Sequence, residues 1–123
     1  AWSDASLDPQ RAVLAAMTQI GVPYRSHASV EDEGFDCSGL TSYAWQASGV
    51  ELNRISGDQI RAATRVDRDE ASAGGLVHYP GHVMMYLGVG DAVVHSVNTG
   101  RTVEIDTISK TRVSRVTFGN PID

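Results

Sequence analysis

Two hydrophobic periodicities divide this chain. Over the first half, apolar residues recur at three- and four-residue intervals: Val13, Leu14, Met17 and Ile20 in one run, Leu40, Tyr43, Ala44 and Ala47 in another. That spacing lines one face of a helix. Asp8-Pro9 offers the first run a start, with Asp as N-cap and Pro at the first helical position, and Gly21 with Pro23 ends it. The second run predicts a helix from Cys37 to Ser48, capped by Asp36 and stopped at Gly49. Ser56-Gly57-Asp58-Gln59 opens a shorter helix to about Thr64. Tyr24 to Gly34 and Val66 to Gly74 read as polar loops.

From Gly75 onward the period becomes that of strands. Leu76 to Tyr79, His82 to Leu87, Val93 to Val97, Val103 to Ile105 and Val113 to Phe118 are separated by Gly, Pro, Asn and Asp. Helices followed by a meander of strands describe an α+β domain, with N-terminal helices packed on an antiparallel sheet of about five strands. Residues 1–7 read as a lead-in or linker stump and residues 8–123 as a single domain.

Composition narrows the function. The 123 residues are 41% hydrophobic and 20% charged, ordinary for a globular domain. A formal charge of −5, without a basic stripe, speaks against nucleic acid as a ligand. No apolar run approaches a membrane span. Ala1-Trp2-Ser3-Asp4 lacks the apolar core of a signal peptide, and with no initiator Met the chain is expected to be a processed product or an excised domain. A monomer is expected. One cysteine excludes a cysteine zinc cluster, and no short-spaced histidine pair supports a metal site.

That lone cysteine, in Phe35-Asp36-Cys37-Ser38-Gly39-Leu40, stands at a predicted helix start. Free N–H groups and the helix dipole there favour a thiolate. Taken alone, Cys37 reads first as a small buried hydrophobe. The strand pattern places His82, Met84 and Tyr86 on one face. If Gly88-Val89 is a two-residue turn, His82 stands directly opposite His95, with Cβ atoms about 4.5–5.5 Å apart. Cys37 as nucleophile, His82 as base and His95 as orienting group would make a cysteine peptidase. His27 and His78 read as loop or surface residues.

Asp36-Cys37-Ser38-Gly39-Leu40, Gly81-His82-Val83 leading into Tyr86-Leu87-Gly88, and Val94-His95-Ser96 together resemble the NlpC family of bacterial cell-wall peptidases, which are papain-like cysteine enzymes. Ile20-Gly21-Val22-Pro23-Tyr24 and Leu52-Asn53-Arg54-Ile55-Ser56 with Gln59 resemble two further family segments. The resemblance implies a papain-like fold and a D,L-endopeptidase that cleaves the γ-D-glutamyl bond to the diamino acid of peptidoglycan stem peptides, without cofactor, outside the cytoplasm or in the cell wall. It implies the catalytic roles above for Cys37, His82 and His95. It also implies that Tyr24 and the Cys37 N–H stabilise the oxyanion, and that Asp36, Ser38 and Ser56 hold the substrate's amino end.

The chain departs from the family at Arg25-Ser26-His27-Ala28, where an aromatic and two glycines are usual, at Gly74-Gly75-Leu76, and at Met84, where a small residue is usual. Two other readings stand beside this one: an amidase or acyltransferase with the same triad, since the residues do not specify the bond, and, from those departures, a peptidoglycan-binding domain with an impaired cleft.

Overall fold

The computed structural model describes residues 4–108 and 116–122. Helix α1 spans Asp4–Met17 and opens ahead of the Asp8-Pro9 start signal, with Pro9 inside it. Proline forfeits one backbone bond there. The helix continues because Ala12 and Ala16, both fully buried, anchor it to the core. Helix α2, Cys37–Ala47, begins where expected, and the Gly39 N–H donates to the Asp36 side chain at 2.6 Å. Gly49, at φ 90°, ends the segment in a conformation that a side chain would strain. Helix α3 is Ser56–Ala62.

The main sheet has six strands rather than five. In chain order they are β3 (Thr64–Val66), β4 (Leu76–Tyr79), β5 (His82–Tyr86), β6 (Ala92–Ser96), β7 (Val103–Thr107) and β8 (Thr117–Asn120), and β3 falls in a stretch read as helix end and loop. Their spatial order is β3-β8-β4-β5-β6-β7, every neighbour antiparallel. A two-stranded ribbon, β1 (Ser29–Val30) with β2 (Gly34–Phe35), precedes α2. Of the expected last strand, Val113 to Arg115 lie outside the described residues, and β8 runs on to Asn120.

Two apolar clusters hold these layers. One joins α1, α2 and the sheet through Ala16, Phe35, Leu40, Trp45, Met85 and Val94. The other gathers Val77, Met84, Val93, Ile108 and Phe118. Each fully buried side chain of this size contributes about 1.5–3 kcal/mol over exposure. Trp45 also donates its Nε1–H to the Gly74 carbonyl at 3.0 Å, so the centre of the core keeps no unpaired indole. No helix among the described residues is long and apolar enough to cross a membrane.

The β5–β6 connection corrects the expected register. Met85 pairs with Val94 and Tyr86 with Val93, while the Leu87 N–H donates to the Ala92 carbonyl at 3.0 Å. The loop is therefore Gly88 to Asp91, not a two-residue turn at Gly88-Val89. Extended along the strands, this register sets His95 against Met84 and leaves His82 on the diagonal. A slip of one residue would have turned the histidines to opposite faces; a slip of two keeps them together.

Candidate active site

Cys37 and His82 each occupy the first position of their element, α2 and β5 respectively. Those elements pack against each other, and the Val83 N–H is aimed at the Cys37 sulfur. Burial pushes the Cys37 thiol above its ordinary range. The Val83 amide pulls the other way, the Asp36 charge adds to the rise, and the amides of Ser38 and Cys37 oppose it. The helix start thus favours the thiolate as its sequence implies, but desolvation and Asp36 outweigh it.

His82 is buried at 6% exposure, and its Nε2 lies 2.9 Å from Nδ1 of His95, itself buried at 3%. Burial first, then the neighbouring imidazoles of His95 and His78, lower the His82 pKa to about 4. Burial also lowers that of His95, with Asp106 and Glu104 pulling upward and Arg101 downward. Both rings are thus neutral at pH 7. Tyr79 packs against His82 with ring centroids 5.4 Å apart. Met84, the bulky departure on this face, is fully buried in the second apolar cluster.

Tyr24 is held by its N–H to the Arg101 carbonyl at 2.9 Å. Its phenol is raised by burial and by the charges of Cys37 and Asp36, which keeps its proton available for donation and places it within reach of the sulfur's field. A buried bond from Ser96 Oγ to the Phe35 carbonyl, 2.7 Å, ties the end of β6 to the residues just ahead of Cys37.

Asp36, Ser38 and Ser56 line one cavity of about 360 Å³ with His27, Arg54 and Ile55. The pattern had not singled out Arg54. Its guanidinium takes both carboxylate oxygens of Asp36 at 3.0 Å and donates to Ser38 Oγ at 2.9 Å and to the Ala28 carbonyl at 3.0 Å. The carboxylate expected to meet a substrate ammonium therefore already has a cationic partner. Ser56 opens α3 without capping it; the cap position is Ile55. His27 lies in the loop, at φ 61°, and His78 lies in β4, the strand expected from Leu76 to Tyr79.

Gln59 organises the floor of this region. Its buried amide accepts from Thr41 Oγ1 at 2.7 Å and donates to the carbonyls of Asn53 at 2.8 Å and Ser38 at 3.1 Å. Gly39 is required by space: a Cβ there would stand 2.1 Å from the Ala28 carbonyl oxygen. Among the described residues, His95, Glu104 and Asp106 bring a nitrogen and carboxylate oxygens within 4.8 Å of one another. Arg101, bonded to Glu104 at 2.5 and 3.1 Å, already places a cation on that cluster and disfavours a metal ion.

A thiol at a helix start, a buried neutral imidazole pair and a protonated phenol are the parts that nucleophilic acyl transfer needs. Residues 21–120 match the NlpC/P60 family. The peptidoglycan endopeptidase RipB of Mycobacterium tuberculosis is 36% identical over 85% of this chain, and its solved structure aligns with 98% of the chain at a TM-score of 0.83. A γ-D-glutamyl-L-lysine dipeptidyl-peptidase of Bacillus subtilis is 34% identical over 75% of the chain. An NlpC/P60 family protein from Bacillus cereus matches 94% of the chain and 40% of its own length at a TM-score of 0.86 and 26% identity. The chain spans 48% of the RipB sequence, 67% of its solved chain and 33% of the Bacillus subtilis protein.

Proposed function

The chain belongs to the NlpC/P60 family, and from that premise we propose that it is a peptidoglycan hydrolase, a cysteine endopeptidase acting on stem peptides in the cell wall or periplasm. The observation that carries this reading is the buried His82–His95 pair, bonded at 2.9 Å, on the strand whose next residue, Val83, turns its amide to Cys37. The names borne by the RipB and Bacillus subtilis relatives support the substrate class, and the latter supports the γ-D-glutamyl–diamino acid bond.

In this mechanism the Cys37 sulfur attacks the carbonyl carbon while its proton passes to His82. The oxyanion is stabilised by the Tyr24 hydroxyl and the Cys37 N–H. Collapse expels the amine, which takes the proton from His82, and leaves a thioester. Water, deprotonated by His82, then releases the acid and restores the thiol. The substrate's amino end lies in the cavity of Asp36, Ser38 and Ser56, where it shares the Asp36 carboxylate with Arg54.

Mass spectrometry of stem tripeptide and tetrapeptide, with Cys37→Ala as control, tests the reading. Release of L-Ala-D-Glu by the native chain alone is expected. A different product would overturn the bond. Unchanged peptides, in the presence of a reactive Cys37, would favour a binding domain.

A further inference from the structure

We propose that Asp106 is a positioning residue that fixes the tautomer of His95 and, through it, the tautomer of His82. The inference rests on His82 being the base of the proposed reaction.

The strands set the geometry. His95 pairs with Glu104 across β6 and β7, while Asp106 pairs with Val93 two residues away, so Asp106 meets His95 on the diagonal. Glu104, the direct neighbour, is turned to Arg101 by two bonds. Asp106 is the carboxylate that remains for the ring: its Oδ2 stands 3.6 Å from His95 Nε2, which is buried and has no hydrogen-bond partner. Its other oxygen, Oδ1, accepts the Thr107 N–H at 2.8 Å, which fixes which oxygen faces the imidazole. A separation slightly beyond bonding length in the free enzyme is common for catalytic pairs, which tighten with substrate bound.

The consequence follows by counting protons. A neutral imidazole carries one N–H, and a carboxylate can only accept. Facing Asp106, His95 therefore holds its proton on Nε2, and its Nδ1 is left as an acceptor. The 2.9 Å bond then requires His82 to donate from Nε2. That leaves the Nδ1 lone pair of His82 as the basic site for the Cys37 thiol. With the proton of His95 on Nδ1 instead, His82 would accept at Nε2 and carry its own proton on Nδ1, where it could not serve as a base.

Asparagine and alanine at position 106 separate this role from a structural one. In Asp106→Asn the amide oxygen keeps the Thr107 bond, so the NH2 group takes the place of Oδ2 and donates toward His95 Nε2. The tautomer is inverted. In Asp106→Ala it is merely released. Stem-peptide cleavage is expected to lose roughly 100-fold in kcat for Asn and roughly 10-fold for Ala, KM changing less than about twofold, as for tautomer errors in other catalytic dyads. Asp106→Glu, which keeps an acceptor, should recover much of the loss.

The deciding measurement is long-range 1H–15N correlation of the imidazoles in 15N-histidine protein near pH 8. Wild-type His95 is expected as the Nε2–H tautomer and the Asn variant as Nδ1–H. Retention of Nε2–H in the Asn variant, or Nδ1–H in the wild type, overturns the proposal. An ordering in which Ala is worse than Asn also overturns it. If the wild type cleaves no stem peptide yet the tautomers respond as stated, the functional reading fails and the role of Asp106 stands.

Discussion

His82 Nε2 and His95 Nδ1 meet at 2.9 Å although their residues sit diagonally across β5 and β6 rather than opposite each other. The ring centroids lie 5.1 Å apart at an interplanar angle of 62°, edge toward face, which lets one nitrogen point at the other. A directly opposed pair would stack more closely and aim less well. In the proposed mechanism, loss of the base costs more than loss of its partner: His82→Ala is expected to reduce kcat by about 100- to 10,000-fold, and His95→Ala by about tenfold. Steady-state kinetics on stem peptide decide this; equal losses would make the two rings a single unit.

Alkylation of Cys37 reports its resting charge. With the thiol raised and His82 lowered to about 4, the free enzyme holds a neutral thiol and a neutral imidazole at pH 7. The rate with iodoacetamide should climb steadily toward alkaline pH, because only the thiolate reacts. A plateau beginning near pH 4 would instead reveal a preformed thiolate–imidazolium pair.

Acid stability has a defined sign. The folded chain binds the His82 proton less tightly than the unfolded chain, with a pKa of about 4 against 6.5. Stability present above pH 6.5 therefore declines as pH falls and levels off below about 4, His82 alone accounting for about 3 kcal/mol. Urea midpoints measured from pH 7 to 4 should show this slope in the native chain and a shallower one in His82→Asn. Parallel slopes would remove His82 as the cause.

Substitution of Gly39 tests the local packing. Its added Cβ would meet both the Ala28 carbonyl oxygen and, at 2.8 Å, Asp36 Oδ1. Gly39→Ala should destabilise the fold by about 2–3 kcal/mol through overpacking and impair the cap that seats Cys37. An unfolding midpoint within error of the native chain would show that the Ala28 loop yields freely.

The sequence made some of these features legible and hid others for physical reasons. Asp36 and Gly49 delimit α2 because an N-cap and a left-handed stop act locally. The face shared by His82 and Met84 was readable from strand alternation, whereas the β5–β6 register depended on the length of the loop that Gly88 opens. Strand β3 escaped notice because Thr64 and Arg65 are exposed and Val66 only half-buried, leaving no alternation to detect. Its pairing with β8 is a relation across more than fifty positions. Arg54 stood in a segment that resembles the family without a role assigned to it, and Asp106 in none; only the folded chain brings them to Asp36 and His95.

The Ser96–Phe35 bond has a consequence for how such a protein can diversify. Ser96 follows His95 directly and Phe35 lies two residues before Cys37, so one buried tie joins the reactive sulfur's segment to the proton-handling strands. Reactivity is housed in that clamped frame, whose Asp36 and Ser38 also line the cavity, while His27 and Ile55 wall it from segments outside the frame. Changes at His27 and Ile55 can alter which molecule is accepted while leaving Asp36, its Arg54 partner and the start of the Cys37 helix in place, which gives part of recognition a mutational freedom separate from reactivity.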